Sequence, residues 1–185
     1  MSIRSFLSID VSITDKISEL QNKIMSEWKW DIRQIKPVEK QNLHFSLVFL
    51  GEISPNSLEK LKLKLVNFKF ESFRIAYTGL GVFPNIQNAR VIWMGADPDG
   101  REKLIRLSKS VVDSIRDIGF VPDKPFIPHV TLFRLKDTRL RVQNMLRKYD
   151  NVSFGSDLVN RIILKGSELT RSGPIYSDIF IVSGR

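Results

Sequence analysis

The order of elements along this chain predicts an α+β fold. Short apolar runs typical of strands are mixed with amphipathic stripes typical of helices, without the strict alternation of a parallel sheet. One four-residue pattern (histidine, apolar residue, hydroxyl residue, leucine) occurs twice, at His44–Leu47 and His129–Leu132. Each copy lies in a predicted strand that a helix follows within a few residues. We therefore expect an α+β fold with a weak internal symmetry.

The beginning of the chain predicts a strand and then a helix. Ile3–Val11 is short and apolar, as expected of a strand. Ser12 is a typical helix N-cap, and Asp15 then falls in the first turn. The apolar residues that follow have the spacing of one core-facing stripe: Ile13, Ile17, Leu20 and Ile24.

The next part of the chain leads through the first histidine motif. Pro37 argues against a helix over Arg33–Lys40, so we expect an extended segment there. Leu43–Leu50 is rich in apolar residues and ends at Gly51, which predicts a buried strand. Ser54–Pro55 is a helix-start signal, because a proline at the first helical position loses no useful donor. The apolar positions of that helix are Leu58, Leu61 and Leu65.

The middle of the chain predicts two strands, a turn and a long helix. Phe68–Val82 and Arg90–Met94 have strand composition and are separated by a loop at Pro84–Asn85. Asp97–Gly100 has the composition of a strong turn. The helix after it is expected to end at Gly119. Its core-facing stripe consists of Leu104, Leu107, Val111, Ile115 and Ile118.

The last third contains the second histidine motif. A loop with three prolines precedes it, and Val130–Leu135 then predicts a strand. We expect a shorter helix over Thr138–Tyr149 and two closing strands, at Val159–Lys165 and Ile175–Ser183. The length of 185 residues is enough to bury a sizeable core, and we expect one domain over residues 1–185.

Composition narrows the classes of function. The net charge is +9, from 29 basic and 20 acidic residues, which favours a polyanionic partner such as nucleic acid. The lack of cysteine excludes disulfides, thiolate zinc sites and cysteine nucleophiles. No run approaches the roughly 18 apolar residues of a membrane span, and Met1–Asp10 does not have the pattern of a secretory signal. We expect a cytoplasmic protein that is not in a membrane.

The two histidines are the strongest functional signal. An imidazole, with an ordinary pKa of about 6.5, can give or take a proton near neutral pH. Residues i and i+2 of a strand share a face, so His44 points with Ser46 and His129 with Thr131, while the residues between them face the core. Across a cleft, one imidazole can deprotonate water and the other can protonate a departing oxygen, while the hydroxyls bind non-bridging oxygens. These groups suit the cleavage of a phosphodiester, and we expect neither a metal nor a cofactor.

The chain resembles the 2H phosphoesterase superfamily and, within it, the RNA 2′,3′-cyclic phosphodiesterases, historically called 2′-5′ RNA ligases. The segments that carry the resemblance are Arg4–Asp10, His44–Gly51, Gly81–Pro84, Arg90–Trp93, Pro128–Arg134 and Gly173–Tyr176. The resemblance implies a bilobal, pseudo-symmetric α+β fold of two antiparallel sheets with flanking helices around a central cleft. It also implies metal-independent hydrolysis of RNA 2′,3′-cyclic phosphate ends to 2′-phosphomonoesters.

The resemblance also implies roles for the motif residues. His44 would protonate the departing 3′ oxygen, His129 would activate water, and Ser46 and Thr131 would hold the phosphate. The residues alone leave open which histidine is the acid and which is the base. Ser46 stands where the family usually has threonine, so the β-methyl that restrains χ1 is missing, and we expect activity to persist.

Two further residues occupy matching places, each five positions after its histidine. In the family the positions of Phe49 and Arg134 flank the substrate base, where a ring and a guanidinium plane can stack on it. In a regular strand, a residue five positions after the histidine lies on the opposite face. A bulge or a strand end is therefore needed to bring Phe49 and Arg134 to the histidine face. Without a bulge, Phe49 would pack in the core and Arg134 would lie on the surface away from the site. We interpret Trp93 and Tyr176 as packing residues.

Several alternatives remain open at this point. A nucleotide-sized cyclic phosphodiesterase or a 2′-5′ RNA ligase or phosphodiesterase would use the same groups. A non-catalytic RNA-binding module is a different class, and the two intact histidines argue against it. We expect a monomer with RNA as its partner and no obligate protein partner.

Overall fold

The computed structural model describes residues 2–122, 124–136, 140–171 and 173–185. The strands of this part of the chain are β1 Ile3–Asp10, β2 Ile35–Pro37, β3 His44–Ile53, β4 Phe73–Phe83, β5 Val91–Ala96, β6 Val130–Leu135, β7 Ser153–Val159, β8 Arg161–Leu169 and β9 Pro174–Ser183. The α-helices are α1 Thr14–Glu27, α2 Pro55–Asn67, α3 Pro98–Ile115 and α4 Gln143–Tyr149. Short 3₁₀ turns span Lys40–Asn42 and Arg116–Ile118.

The strands are antiparallel and form two halves that meet at the centre of the molecule. The strand order is β7-β4-β5-β6-β3-β1-β8-β9, with β2 paired to β6. One half is therefore β3-β1-β8-β9 and the other is β7-β4-β5-β6. The halves join where Phe45 of β3 pairs with Val130 of β6. The predicted bilobal α+β fold of antiparallel sheets is confirmed, and the two sheets share an edge at this pair.

The predicted helical stripes form much of the core. Gln21 of α1 is buried among them and donates hydrogen bonds to the carbonyls of Val38 and Leu132, at 3.0 and 2.8 Å. These bonds attach α1 to the strand that carries the second motif. The buried stripe residues are Ile17, Leu20 and Ile24 of α1, Leu61 and Leu65 of α2, and Leu104, Leu107, Val111 and Ile115 of α3.

Two predictions of local structure are wrong, for one physical reason. Ser12 does not cap α1, because its backbone N–H and hydroxyl both donate to the carboxylate of Asp157. Asp97–Gly100 is not a free turn, because the Asp97 side chain accepts from the Gly100 N–H at 3.2 Å and caps α3. Asp97 is also held by Ala76 of β4, whose N–H donates to the Asp97 carboxylate at 2.7 Å. The same residue types favour turns and helix caps, and distant partners such as Asp157 and Ala76 decide between the two.

Strand and helix boundaries also differ from the expectation. The strand β7 was not predicted, and the strand expected from Phe68 begins only at Phe73. The expected helix over Thr138–Tyr149 is observed as α4 from Gln143, and its first two expected residues lie outside the described part of the chain. The predicted stop at Gly119 is confirmed, since this glycine has a φ of +92° after the 3₁₀ turn that extends α3.

Candidate active site

The junction of the two halves determines which way the motif side chains point. Phe45 and Val130, the pair that joins β3 to β6, are completely buried. Neighbouring residues of a strand point to opposite faces, so the residues on either side of this pair face away from the core. The histidines and hydroxyl residues of both motifs therefore project from one face of the sheet.

Register brings these four side chains together across the junction. Counting outwards from the central pair, His44 lies opposite Thr131 and Ser46 lies opposite His129. Side chains that oppose each other in an antiparallel pair are neighbours on the same face. All four line one cavity of about 380 Å³. The structure thus brings together every residue of the two predicted motif pairs.

Each imidazole is anchored by the same backbone contact. Nδ1 of His44 donates to the carbonyl oxygen of Asn42 at 2.8 Å, and Nδ1 of His129 donates to that of Ile127 at 2.7 Å. A carbonyl can only accept, so the proton sits on Nδ1 in both rings and Nε2 carries the lone pair of the neutral ring. Nε2 of His44 lies 2.9 Å from the hydroxyl oxygen of Ser46.

Aromatic rings hold both imidazoles from the side. The ring of His44 lies 5.0 Å from that of Phe6 and 5.4 Å from that of Tyr176, measured between centroids. The ring of His129 lies 4.9 Å from Phe83 and 6.2 Å from Trp93. The interpretation of Trp93 and Tyr176 as packing residues is consistent with these contacts, but what they pack against is the imidazoles. The sequence analysis missed the two phenylalanines, since strand periodicity does not tell which ring will touch a histidine.

The electrostatic surroundings of the histidines differ. Burial lowers the pKa of both imidazoles, and the anchoring carbonyls oppose this effect. Around His44, the Asp10 carboxylate also raises the pKa, while the charges of Lys165 and His129 lower it. Around His129, the Arg134 guanidinium lowers the pKa further. The one nearby charge that favours a protonated imidazole, the Asp10 carboxylate, therefore lies beside the first motif.

A β-bulge places Phe49 on the face of His44. In the pairing of β1 with β3, Ser8 pairs with Ser46 but Leu7 pairs with Val48, so Leu47 has no partner of its own. This extra residue reverses the alternation of faces beyond it. Phe49 is consequently 56% exposed, and the guanidinium carbon of Arg4 lies 5.1 Å from the centre of its ring.

The second motif contains a bulge at the equivalent position. Trp93 of β5 pairs with Thr131, and the next residue back, Ile92, pairs with Phe133. Leu132 is therefore the extra residue, and Arg134 turns to the histidine face, where it lines the cavity. The bulge that the sequence analysis required for both side chains is present in both strands.

A second depression of about 360 Å³ adjoins the cavity on the side of the first motif. It is shared with the cavity through His44, Ser46, Arg134, Pro174 and Tyr176. Its remaining walls come from Arg4, Phe6, Phe49, Ser167 and Leu169. The cavity that contains the two motifs thus opens sideways onto an aromatic and cationic surface.

A buried lysine between two carboxylates is a further feature of the site that was not predicted from the sequence. Lys165 of β8 lines the cavity, and its ammonium lies 2.7 Å from Asp178 and 3.0 Å from Asp10. Burial lowers the pKa of this ammonium, but the two carboxylates outweigh that effect and raise it. Asp178 faces Lys165 across the β8–β9 hairpin, but Asp10 lies far from both along the chain, so no local pattern indicates that the three meet.

Neither a metal-binding cluster nor a membrane-spanning helix is found in residues 2–122, 124–136, 140–171 and 173–185. These residues contain no group of three or more histidine, aspartate or glutamate side chains placed to share a metal ion. Within the same ranges, no helix has the length and apolar character needed to cross a membrane.

A family model described as LigT-like phosphoesterase matches residues 7–93 and 95–176. The chain belongs to this family. The resemblance to the 2H phosphoesterases is therefore confirmed, and it covers both histidine motifs and both halves of the sheet.

This LigT-like phosphoesterase has relatives of similar length. It is 38% identical over 177 residues to a protein of Archaeoglobus fulgidus named RNA 2′,3′-cyclic phosphodiesterase, covering 96% of this chain and 98% of that one. It is 42% identical over 164 residues to a protein of the same name from Aquifex aeolicus, covering 86% and 82%.

Solved structures show the same fold. A crystal structure of E. coli LigT complexed with 3′-AMP matches with a TM-score of 0.77 at 23% identity, over 99% of this chain and 98% of that one. A protein from Thermus thermophilus matches with a TM-score of 0.77 at 28% identity, over 98% and 97%.

Proposed function

We propose that this LigT-like phosphoesterase hydrolyses 2′,3′-cyclic phosphate ends of RNA to 2′-phosphomonoesters. The observation that carries the proposal is the pair of imidazoles, each fixed through Nδ1, that line one cavity with a hydroxyl from each motif. The relatives named RNA 2′,3′-cyclic phosphodiesterase support the substrate. The net charge of +9 favours RNA over a single nucleotide.

The histidines take different roles in the proposed reaction. His129 is the base: neutral Nε2 accepts a proton from water as the new P–O bond forms, and the nearby charge of Arg134 favours this neutral form. His44 is the acid: its Nε2 proton goes to the 3′ oxygen as the P–O3′ bond breaks, and Asp10 favours the protonated form. Water thus supplies a hydroxyl to phosphorus and a proton to His129, while His44 supplies the proton of the new 3′-hydroxyl. Proton exchange with solvent then restores both imidazoles, so the net reaction is the addition of one water and needs no cofactor.

The hydroxyl residues hold the phosphate in this scheme. When His44 is protonated, its Nε2–H donates to the Ser46 oxygen, 2.9 Å away. The Ser46 O–H is then free to donate to a non-bridging oxygen, and Thr131 donates from the other side. Such donors act where negative charge accumulates in the transition state.

Phe49 and Arg134 are proposed to flank the substrate base. The two bulges support this assignment, because both side chains lie on the histidine face and border the second depression. An aromatic face and a guanidinium plane both stack on nucleobases without strong sequence preference. The proposed substrate position therefore has the phosphate at the junction and the base beside Phe49.

We also propose that the protein acts as a monomeric single domain over residues 1–185. Both motifs come from one chain and meet at a backbone pair within it, so the site needs no second copy. A cytoplasmic location is proposed from the nature of the RNA substrate.

The proposed function is tested with an oligoribonucleotide that ends in a 2′,3′-cyclic phosphate. Purified protein is incubated with it in EDTA, and the product is identified by mass and by its resistance to enzymes that need a free 2′-hydroxyl. We expect a terminal 2′-phosphate from the natural protein. His44→Ala and His129→Ala should each lower the rate about a hundredfold or more, because each removes one proton-transfer group.

Lys109→Ala provides the matched control. Lys109 is an exposed cation on α3, so its loss changes the net charge without altering the cavity. Natural activity in this variant together with full activity in both histidine variants would refute the assignment. A 3′-phosphate product would instead place the acid beside the 2′ oxygen.

A further inference from the structure

We propose that Lys165, held between Asp10 and Asp178, is a positioning residue that balances the Asp10 carboxylate beside His44 and so sets His44 as a proton donor of suitable strength. The inference deepens the proposed function and rests on it for the role of His44. The inference concerns only the side of the site next to the first motif, where Lys165 contacts Asp10 and Asp178.

The strands place Lys165 between its two partners. It lies directly opposite Asp178 in the pairing of β8 with β9, and opposite Phe6 in the pairing of β8 with β1. The ring of Phe6 in turn lies against that of His44. The lysine side chain is only 8% exposed, whereas the Asp10 and Asp178 side chains are 44% and 49% exposed. A buried ammonium is stable only when it is paired, so Lys165 and its carboxylates hold one another in place.

Asp10 is the link between this cluster and the imidazole. It is the direct partner of His44 in the pairing of β1 with β3. Residues that oppose each other in this way have Cβ atoms about 4.5–5.5 Å apart and point to the same face. The carboxylate that Lys165 contacts at 3.0 Å therefore belongs to the residue directly opposite His44 in the sheet, and its charge acts on the imidazole.

The two charges act on His44 in opposite directions. The Asp10 carboxylate favours the imidazolium, and the Lys165 ammonium disfavours it. Asp10 without the lysine would keep the proton on His44 too firmly, and Lys165 without Asp10 would expel it. A general acid works best when its proton affinity matches the working pH, which requires both charges.

Other groups also face His44 and remain constant in the test. His129 and Arg134 face it from the second motif, Tyr176 from β9, and Arg4 from the outer end of β1. Glu39 and Lys36 face the cavity from the segment that precedes β3. Because none of these is changed in the Asp10 and Lys165 variants, a shift between those variants and the natural protein reports on the Asp10–Lys165 pair.

The test follows the His44 imidazole directly by NMR. The chain has two histidines, so two sets of ring C–H signals are expected, and His129→Gln assigns them. Lys165→Met should raise the His44 titration midpoint, and Asp10→Asn should lower it, each by about one pH unit. Lys165→Arg keeps the charge and should restore a midpoint near the natural one. Asp178→Asn leaves the Asp10–Lys165 contact intact and should shift the midpoint less than Asp10→Asn does.

Activity provides a second measurement on the same variants. The limb of the kcat/KM pH profile that coincides with the His44 midpoint should move with it, upwards in Lys165→Met and downwards in Asp10→Asn. A residue that only stabilised the fold would lower the amount of folded protein and leave both midpoints where they are. Asp10→Asn removes a half-exposed carboxylate, so it carries the test even where Lys165→Met does not fold.

The outcomes separate this inference from the proposed function. Unshifted midpoints in folded Asp10→Asn, with cyclic phosphate hydrolysis intact in the natural protein, would overturn the inference alone. Opposite shifts in the two variants, without any hydrolysis by the natural protein, would overturn the proposed function and leave the charge pair established.

Discussion

The two histidines are matched in geometry and different in charge environment. Both rings donate from Nδ1 to the carbonyl two residues earlier, which leaves Nε2 of each ring available for the proposed proton transfer. A carboxylate lies beside His44, and a guanidinium acts on His129. Identical anchors with unlike neighbours are what a reaction needs when one group must be charged and the other neutral.

The pH dependence of kcat/KM should therefore be bell-shaped. One imidazole must be protonated and the other neutral, so activity falls when pH drops below the lower pKa or rises above the higher one. Burial lowers both pKa values from the ordinary 6.5, and we expect an optimum on the acid side of that value. The profile is measured with a cyclic-phosphate oligonucleotide from about pH 4 to 9. A rate that rises steadily across this range would contradict the pairing of imidazoles.

At the scale of elements, the strands differ from regular ones at two equivalent points. Leu47 and Leu132 are extra residues in β3 and β6, each three positions after a histidine. Without these bulges, Phe49 and Arg134 would point away from the substrate face. Each bulge thus allows one strand to present a histidine, a hydroxyl and a third side chain to the same cavity.

The strand β4 supports the second motif through a glycine. A Cβ built on Gly81 falls 2.1 Å from the Trp93 ring, whose centre lies 6.2 Å from that of the His129 ring. Gly81→Ala must displace this ring, so we expect a loss of about 1–3 kcal/mol in the free energy of unfolding and a lower kcat. Urea denaturation and steady-state kinetics measure the two effects.

The double variant Gly81→Ala with Trp93→Phe is the control for that mechanism. The smaller ring leaves room for the new methyl group, so the alanine should cost less stability in this background than in the natural one. Equal costs in both backgrounds would show that the Trp93 ring is not what the methyl group meets.

At the scale of the molecule, the buried pair that connects the two halves of the sheet also positions the residues of the cavity. Phe45 is completely buried at the central pair, and its ring stacks on that of Tyr77 at 5.9 Å with an interplanar angle of 9°. The residues before and after it in the chain, His44 and Ser46, both line the cavity. The packing that holds the halves together thereby also sets the separation of the two motifs.

Phe45→Ala should cost about 3–5 kcal/mol of the free energy of unfolding, because it empties a fully buried site. Phe49→Ala removes the same atoms from a side chain that is 56% exposed and should change stability by less than about 1 kcal/mol. Its effect should instead be a raised KM for RNA substrates. Urea titrations of both variants test this contrast, and similar losses of stability would contradict the assigned burial.

The sequence by itself determined what depends on neighbours along the chain. The alternation of side chains on a strand paired each histidine with its hydroxyl, and helical spacing identified the stripes of α1, α2 and α3. The repeat of one motif was enough to predict an acid and a base acting together. The strand faces and helical stripes are confirmed because strand and helix periods are local properties of the backbone, while the acid and base roles stay a prediction.

Only the tertiary structure decided the register, the bulges and the charges around each imidazole. Asp10 and Lys165 meet because β1 lies between β3 and β8, which no local pattern indicates. Ser12 was expected to cap a helix and bonds to Asp157 instead, for the same reason. Proton affinity and side-chain direction depend on burial and on partners from distant strands, so they are fixed only when the chain folds.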